Sequence, residues 1–363
     1  MKYIKKFIIG LLTILAFAVA LLLLAVAYSD RVSPADYPHL GCVGMAIPAA
    51  IALNLAMLLL MLMVCWRRAW IPLLAFVLAY VPIRTYIPLR FVAEPPEDCL
   101  KLVSYNVCTY GGNYKYDQGL DTVTAYIMAQ QPDIVCIQED VSAKFNPVEK
   151  WQQLMPYNDT VHVSPGVKEI NVIGIHTRFP IVKKERIDYT AKANGSVAWF
   201  LLIGQDTVIV INNHLESTHL TKEQRQSYWD VVNGDTRDRK LVEEQAHDLY
   251  GKLTDSMVLR APQAEIVHQY VEAHADYPVI VCGDFNDTPI SYARHTIAQG
   301  LTDCFAEAGC GLGLSYNQKG FNFRIDHIFC SSHFTPYKCV VDSKMDASDH
   351  YPMLCWLKMT DKP

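Results

Sequence analysis

The sequence predicts a chain in two parts: an apolar helical region at the N-terminus, and behind it an α/β domain large enough for two packed sheets. The first sign is charge. Of 363 residues only 19% are charged, against roughly 25% in an ordinary soluble chain, and the deficit falls in the first quarter. Residues 1–98 hold eight Lys and Arg against five Asp and Glu, a net of +3, which leaves −8 for the other 265. The second sign is a set of long uncharged runs confined to that first quarter, and the third is the alternation of short apolar runs with helical patterns and turns after residue 99. The 51% hydrophobic content excludes a disordered polar chain, and the net charge of −5 excludes a strongly basic nucleic-acid coat protein.

Residues 7–28 form an uncharged run of 22, preceded by Lys2, Lys5 and Lys6, long enough to cross a bilayer core as a helix. A cleaved signal peptide has a shorter apolar stretch, about 7 to 15 residues. A second uncharged run, 37–66, contains Pro48 and Asn54 and is closed by Arg67 and Arg68. The third, 69–83, has only 15 residues before Arg84, and Trp70 and Tyr80 anchor it. It either spans the bilayer or lies as a re-entrant or interfacial segment. Basic residues collect on the cytoplasmic side, so Lys2, Lys5, Lys6, Arg67 and Arg68 are expected there. Three crossings are favoured, which makes this a multi-pass membrane protein with its α/β domain on the outer or periplasmic side. Arg84 and Arg90 then lie on that outer side.

The expected division is a transmembrane region over 1–92, a Pro- and acid-rich linker over 93–99 (AEPPEDC), and a single domain over 100–363. Strands are predicted at 100–107, 133–139, 171–177, 196–203, 207–214, 277–284, 322–331 and 351–357, many apolar throughout, as strands covered on both faces are. Leu120, Val123 and Ile127 recur at helical spacing before Pro132, and the polar stretch 221–275 reads as two or three helices.

Several of these strands end in residues that a packed core would not choose. Asn106 closes the first and Glu139 the second; His214 follows Asn212 and Asn213; GDFND (283–287) follows VIVC; RIDH (324–327) lies within an apolar run; and SDH (348–350) precedes the last strand. Clustered carboxylates, amides and imidazoles suit metal-assisted phosphoryl transfer, because oxygen ligands fit Mg²⁺ and phosphate oxygens need donors. An acid between Ile325 and Ile328 must be paired if it is buried. Water at pH 7 is a poor nucleophile, so hydrolysis of an anionic phosphoester needs a carboxylate base and a metal ion.

The ordered series SYN, QE, NHL, GDFN, RIDH and SDH, over residues 100–358, resembles the endonuclease/exonuclease/phosphatase superfamily of metal-dependent phosphoester hydrolases. The resemblance implies a four-layer sandwich, two packed mixed β-sheets flanked by helices, and a divalent cofactor, Mg²⁺ with Mn²⁺ as an alternative. It implies Glu139 as principal metal ligand, with Asn106 and Asp349 completing the metal and water shell. Asp284 would orient or deprotonate the attacking water, and Asn286 would help hold that water and a phosphate oxygen. His350 would bond the phosphate with Asp326 fixing its tautomer, and His214 would supply a second imidazole donor. For His214 the backing acid found in the deoxyribonuclease branch is replaced by Asn171, with Glu169 two residues away. Arg178, and Arg260 with Gln263, look typical of membrane-anchored bacterial members, either as phosphate contacts or as structural ion pairs.

His162, His176, His219, His268, His274, His295 and His333 have no motif around them and read as structural. The 11 cysteines show no metal spacing; Cys136, Cys282 and Cys355 read as core residues, and Cys304 and Cys310 are close enough in sequence for a disulfide. The −8 of the soluble part argues against a sequence-independent grip on duplex DNA. Expected partners are a phosphoester substrate (a lipid head group, a small phosphodiester or a nucleic acid) and the lipid bilayer; no protein partner is inferable. The leading function is a membrane-anchored, Mg²⁺-dependent phosphodiesterase or phosphatase, with an endonuclease and an inactive binding module as alternatives.

Overall fold

The computed structural model describes residues 2–90, 93–110, 116–141, 155–163, 171–233, 235, 239–318 and 320–360. The apolar runs fold as four helices: α1 (Lys2–Ala27), α2 (Ile47–Cys65), α3 (Trp70–Leu78) and α4 (Tyr80–Tyr86). Small and flexible residues such as Ala16, Ala20, Ala50, Met57, Met61 and Ala75 fill the contacts among the first three. Phe7, Leu11, Ile14, Leu21, Leu59 and Val77 stay exposed on the outside. Helices apolar all round need an apolar surrounding, and two stretches, Tyr3–Ala27 and Pro38–Arg68, are long and apolar enough to cross a membrane. The third run is broken at Ala79 into α3 and α4. Arg68 donates to the Ile9 carbonyl and the Thr13 hydroxyl, whereas the Tyr28 hydroxyl donates to the Leu78 carbonyl at 2.5 Å. The bundle therefore has one end holding Arg68 and the start of α1, and an opposite end holding Tyr28 and Leu78.

The rest of the chain builds two six-stranded sheets. The first comprises β1 (Leu100–Asn106), β2 (Ile134–Gln138), β3 (Tyr157–His162), β4 (Val172–Thr177), β13 (Phe334–Val341) and β14 (Met353–Met359), in the order β13-β14-β1-β2-β4-β3. The second comprises β5 (Ile181–Ile187), β6 (Gly195–Ile203), β7 (Asp206–His214), β8 (Val279–Asp284), β9 (Thr302–Asp303) and β12 (Asp326–Cys330), in the order β5-β6-β7-β8-β12-β9. Each is mixed, with one parallel pair at its centre: β1 beside β2, and β7 beside β8. A small hairpin, β10 (Tyr316–Gln318) with β11 (Phe321–Phe323), stands apart.

Leu102, Cys136, Ile175, Trp199, Val210, Cys282 and Ile328 meet between the sheets. On the outside, Val123 and Ile127 of α5 (Tyr116–Gln130) cover the first sheet. Ala264, Val267 and Val271 of α7 (Arg239–Ala273) cover the second. The predicted four layers are thus present. The insertion between β7 and β8 resolves into two helices, α6 (Lys222–Val232) and α7; Thr221 and Gln224 close a reciprocal capping box at the start of α6. Two short helices, α8 (Tyr292–Ile297) and α9 (Cys304–Ala308), complete the domain.

Two segments of the N-terminal region dock on this domain. The 3-10 turn Pro38–Ala46 lies on α7, with Cys42 Sγ 3.7 Å from Met257 Sδ and the His39 and Tyr250 rings stacked at 6.2 Å. Gly44 permits the approach, since a Cβ there would stand 1.9 Å from the Ile290 carbonyl oxygen. Beyond α4, Arg84 and Arg90 both pair with Glu307. Arg324 donates to the Thr85 carbonyl, and Leu89 forms a β-bridge with Cys310. The disulfide considered between Cys304 and Cys310 does not form: Cys304 is buried with its Sγ 3.6 Å from that of Cys330, and Cys310 is exposed.

Candidate active site

Topology explains why distant motifs meet. In parallel β1 and β2 both carboxyl ends point the same way, which delivers Asn106 and Glu139 together; parallel β7 and β8 deliver His214 opposite Asp284. β12 runs antiparallel to β8 and registers its first residue, Asp326, against Asp284. β14 runs antiparallel to β1, so Asp349 and His350, just ahead of it, reach the same end. Gly283 sits at φ 129°, and a Cβ there would lie 2.0 Å from the Asn213 carbonyl oxygen, so only glycine lets β8 press this close to β7.

Asp284 is the hub. Its Oδ1 accepts the Asn286 backbone N–H at 2.8 Å. Its Oδ2 accepts from Asn106 Nδ2 at 3.0 Å and lies 3.6 Å from Nε2 of both His214 and His350. His350 Nδ1 in turn pairs with Asp326 Oδ2 at 2.8 Å. Burial opposes a charged His350, but Asp326 and Asp284 outweigh it and lift its pKa to about 10. Burial drives His214 the other way, down, against the attraction of Asp284. One imidazole therefore favours the cation and the other the neutral ring.

Glu139, in a left-handed conformation at φ 58°, opens on the cavity half-buried. Burial, and after it the charge of Asp349, push its pKa up to about 7. Within this cluster, among the described residues, four acids, Glu139, Asp284, Asp326 and Asp349, thus face one imidazolium, His350. Such a set lacks positive charge, and a divalent cation on the oxygens of Glu139 and Asp349 fits both the deficit and the donor chemistry. Asp284, Asp326 and His350 also offer ligand atoms within 4.8 Å of one another, but Asp326 Oδ2 and His350 Nδ1 are already bonded to each other.

Other candidates are placed as follows. Asn106 Oδ1 accepts the Cys108 N–H at 3.0 Å, so its amide nitrogen is the end turned to the carboxylates. Asn286, left-handed at φ 52°, donates from Nδ2 to the Leu215 carbonyl at 3.0 Å and ties together the loops after β7 and β8. Asn171 lines the cavity, while Glu169 lies outside the described residues. The fold does not bring Arg178 here: it pairs at 3.4 Å with Asp133, at the opposite end of β2 from Glu139. Arg260 is buried, donating to Asp287 Oδ2 at 3.1 Å and to the Glu216 carbonyl at 2.7 Å, an ion pair that binds α7 to both loops.

Sequence reasoning missed the supports. Gln138 donates to Asn212 Oδ1 at 2.6 Å between the sheets, and Ser315 Oγ accepts the N–H groups of Ile325 and Asp326 at 3.0 and 3.1 Å. His219, read as structural, lines the cavity and pairs with Glu216 at 2.7 Å; its signal was its place five residues after His214, in a loop leaving a strand end. The Tyr316 ring meets His350 edge-on at 5.0 Å. A cavity of about 780 Å³ holds Asn106, Glu139, Asn171, His214, Asp284, Asn286, Asp349 and His350 in its lining, with His219 and Tyr316 beside them.

A mixed-sheet sandwich with this polar cluster at its parallel strand ends defines a class of metal-dependent phosphoester hydrolases. The sequence profile of the Endonuclease/Exonuclease/phosphatase family matches residues 103–350, and the chain belongs to that family. A second profile, for a domain of unknown function, matches residues 6–86. None of the curated proteins matches the chain significantly. Among solved structures, the human nocturnin catalytic domain with bound sulfate is similar at TM-score 0.52 and 17% identity, over 74% of this chain and 97% of that one. TDP2 of D. rerio complexed with a single-strand DNA product is similar at TM-score 0.51 and 18% identity, over 72% and 100%. An endonuclease/exonuclease/phosphatase protein of Beutenbergia cavernae is similar at TM-score 0.51 and 15% identity, over 74% and 73%. At such identities the likeness is one of fold.

Proposed function

We propose that the protein is a membrane-anchored phosphodiesterase or phosphatase that uses Mg²⁺, or Mn²⁺ in its place. The observation that carries this is the convergence of four strand termini from two sheets on Asp284 Oδ2, with two imidazoles at 3.6 Å and an amide at 3.0 Å. Glu139 and Asp349 would hold the ion; Asn106, expected in the metal and water shell, would instead steady the carboxylates through Nδ2, its Oδ1 being bonded to the Cys108 N–H. When bound, the ion supplies positive charge to the phosphoryl oxygens and makes water more acidic. Asp284 accepts the proton of the attacking water. His350 and His214 donate from Nε2 to the phosphate, and Asp326, paired with Nδ1, holds His350 as the cation whose Nε2–H is free to do so. Asn286 keeps the Asp284 loop closed against Leu215. Loss of a single such donor in an acyl-transfer site costs about 2.7 to 4 kcal/mol.

Three crossings, with the domain on the outer side, complete the reading. It is supported by the docking of both 38–46 and 84–90 on the α/β domain, which puts the ends of two helical runs on the domain's side and Arg68 at the far end. Glu307 also gives Arg84 and Arg90 a partner outside the bilayer. Exposed Cys310 reports this directly: a membrane-impermeant maleimide should label it on intact spheroplasts, and labelling only after permeabilisation would put the domain in the cytoplasm.

The catalytic test is the full-length protein with Mg²⁺ or Mn²⁺ on bis-p-nitrophenyl phosphate, p-nitrophenyl phosphate, sphingomyelin, inositol phosphates and plasmid DNA. Activity that survives both EDTA and Asp284→Ala sinks the metal-site reading, and silence on every substrate favours a binding module. The DNA complex of the D. rerio relative makes plasmid cleavage the second reading; the −8 charge of residues 99–363 weighs against it.

A further inference from the structure

The cavity has two unlike sides. Its floor is the polar cluster just described. Its wall is apolar, made by Leu249, Leu253 and Met257, which recur every four residues along one face of α7, together with Trp229 of α6 and Phe321 of β11. The wall continues into the N-terminal region: Met45 lines the same cavity, only two residues before α2 begins at Ile47, and Met257 touches Cys42. An apolar path thus leads from the catalytic floor to the end of a helix apolar enough to cross a membrane.

We propose that this wall is a binding subsite for the hydrocarbon chain of an amphiphilic phosphoester presented from the bilayer. The inference rests on the hydrolase reading for the head group, which the floor would take. A polynucleotide would need a run of free cations along its backbone. Among the described residues, the basic ones of the lining are Lys192, Arg225 and Arg260 beside the histidines, and Arg260 is committed to Asp287. A small polar phosphoester would leave the wall bare, whereas a chain laid along it removes apolar surface from water on both partners. The volume of about 780 Å³ lies within the roughly 300–1,000 Å³ of pockets that enclose a ligand of this size.

The test compares methyl p-nitrophenyl phosphate with dodecyl p-nitrophenyl phosphate on the full-length protein in phosphatidylcholine nanodiscs. Both release the same p-nitrophenolate when water adds to phosphorus, so only the chain differs. Each methylene withdrawn from water is worth about fourfold in affinity, and kcat/KM for the dodecyl ester should exceed that for the methyl ester at least about tenfold. Leu253→Glu and Met45→Glu should bring the ratio near one, while Leu253→Met keeps it. Equal values in the native protein overturn the subsite, as does a preference that both glutamate variants retain, since it then comes from partition into the lipid. If neither ester is hydrolysed, the phosphodiesterase reading falls, the phosphatase reading is left to the monoester assays above, and binding decides the subsite. Dodecyl phosphate held more tightly than methyl phosphate, with the difference lost in Leu253→Glu, supports it, and equal binding overturns it.

Discussion

The floor of the cavity and its wall are made from different parts of the chain and obey different rules. On the floor, Asn106, His214, Asp284 and His350 are 3%, 5%, 1% and 4% exposed, and each is fixed by hydrogen bonds or charge to the next. The wall is largely half-buried side chains on α6, α7 and the β10–β11 hairpin, with Met257 buried among them, joined by one turn of the N-terminal region. Floor residues come from strand ends that every layer of the sandwich holds in place; wall residues come from the insertion between β7 and β8, from the β10–β11 hairpin and from a turn outside the family match. If the proposed roles hold, the lesson is that chemistry and selectivity are separable here: one belongs to the scaffold, the other to what is added to it.

Metal removal should break the floor most completely. EDTA is expected to abolish turnover, with Mg²⁺ or Mn²⁺ restoring it in a steady-state assay. Next, Asp284→Asn should lower kcat by about 10² to 10⁴, the range for loss of a general base, with the circular dichroism spectrum unchanged. Arg260 tests the junction, because it joins the wall helix to both floor loops. Arg260→Ala leaves Asp287 buried and unpaired, which costs about 3 to 5 kcal/mol, to be read as a lower thermal midpoint in nanodiscs.

A smaller effect separates the two sides by pH. His327 lies behind the floor, bonded through Nε2 to the Asp287 carbonyl at 2.9 Å, and burial, then the Arg324 charge, push its pKa down to about 3. The unfolded chain binds that proton below about 6.5. Stability should therefore fall as pH drops from about 6.5 toward 3, by at most about 1.4 kcal/mol per unit. His327→Gln should flatten that slope in thermal melts, and wall variants should leave it alone. The smallest change is expected from Trp229→Ala, a rise of no more than about tenfold in KM with kcat held; a fall in kcat instead would show that the wall shapes the chemistry too.

The division between floor and wall also marks what the sequence makes legible. Every strand predicted from an apolar run has a counterpart, although 322–331 divides into β11 of the hairpin and β12 of the second sheet; the counterparts in the two large sheets are the central strands, whose two covered faces write themselves into composition. Apart from β10 of the small hairpin, the missed strands β3, β5, β9 and β13 are the edges of the two large sheets. Lys183 and Lys184 in β5 show why: an edge open to water carries charge and loses the apolar signal. Floor residues stood out because acids and amides at the ends of apolar runs are costly unless they have a purpose. The supports Gln138, Asn212 and Ser315 sit among similar polar neighbours and become visible only when two sheets face each other. Leu249, Leu253 and Met257 share a helix face with nothing to say which way it looks, and Arg178 carried a motif's promise to the wrong end of β2.

The double grip of Glu307 on Arg84 and Arg90, with the bridge from Leu89 to Cys310, bears on how the enzyme meets its substrate. Held there and again at the 38–46 turn, the domain is not a ball on a string that sweeps a sphere of solvent. On the proposed reading of a membrane anchor and an amphiphilic substrate, it keeps one aspect toward the bilayer, so its search is that of a surveyor confined to a plane, and its rate should follow the surface density of substrate rather than its bulk concentration.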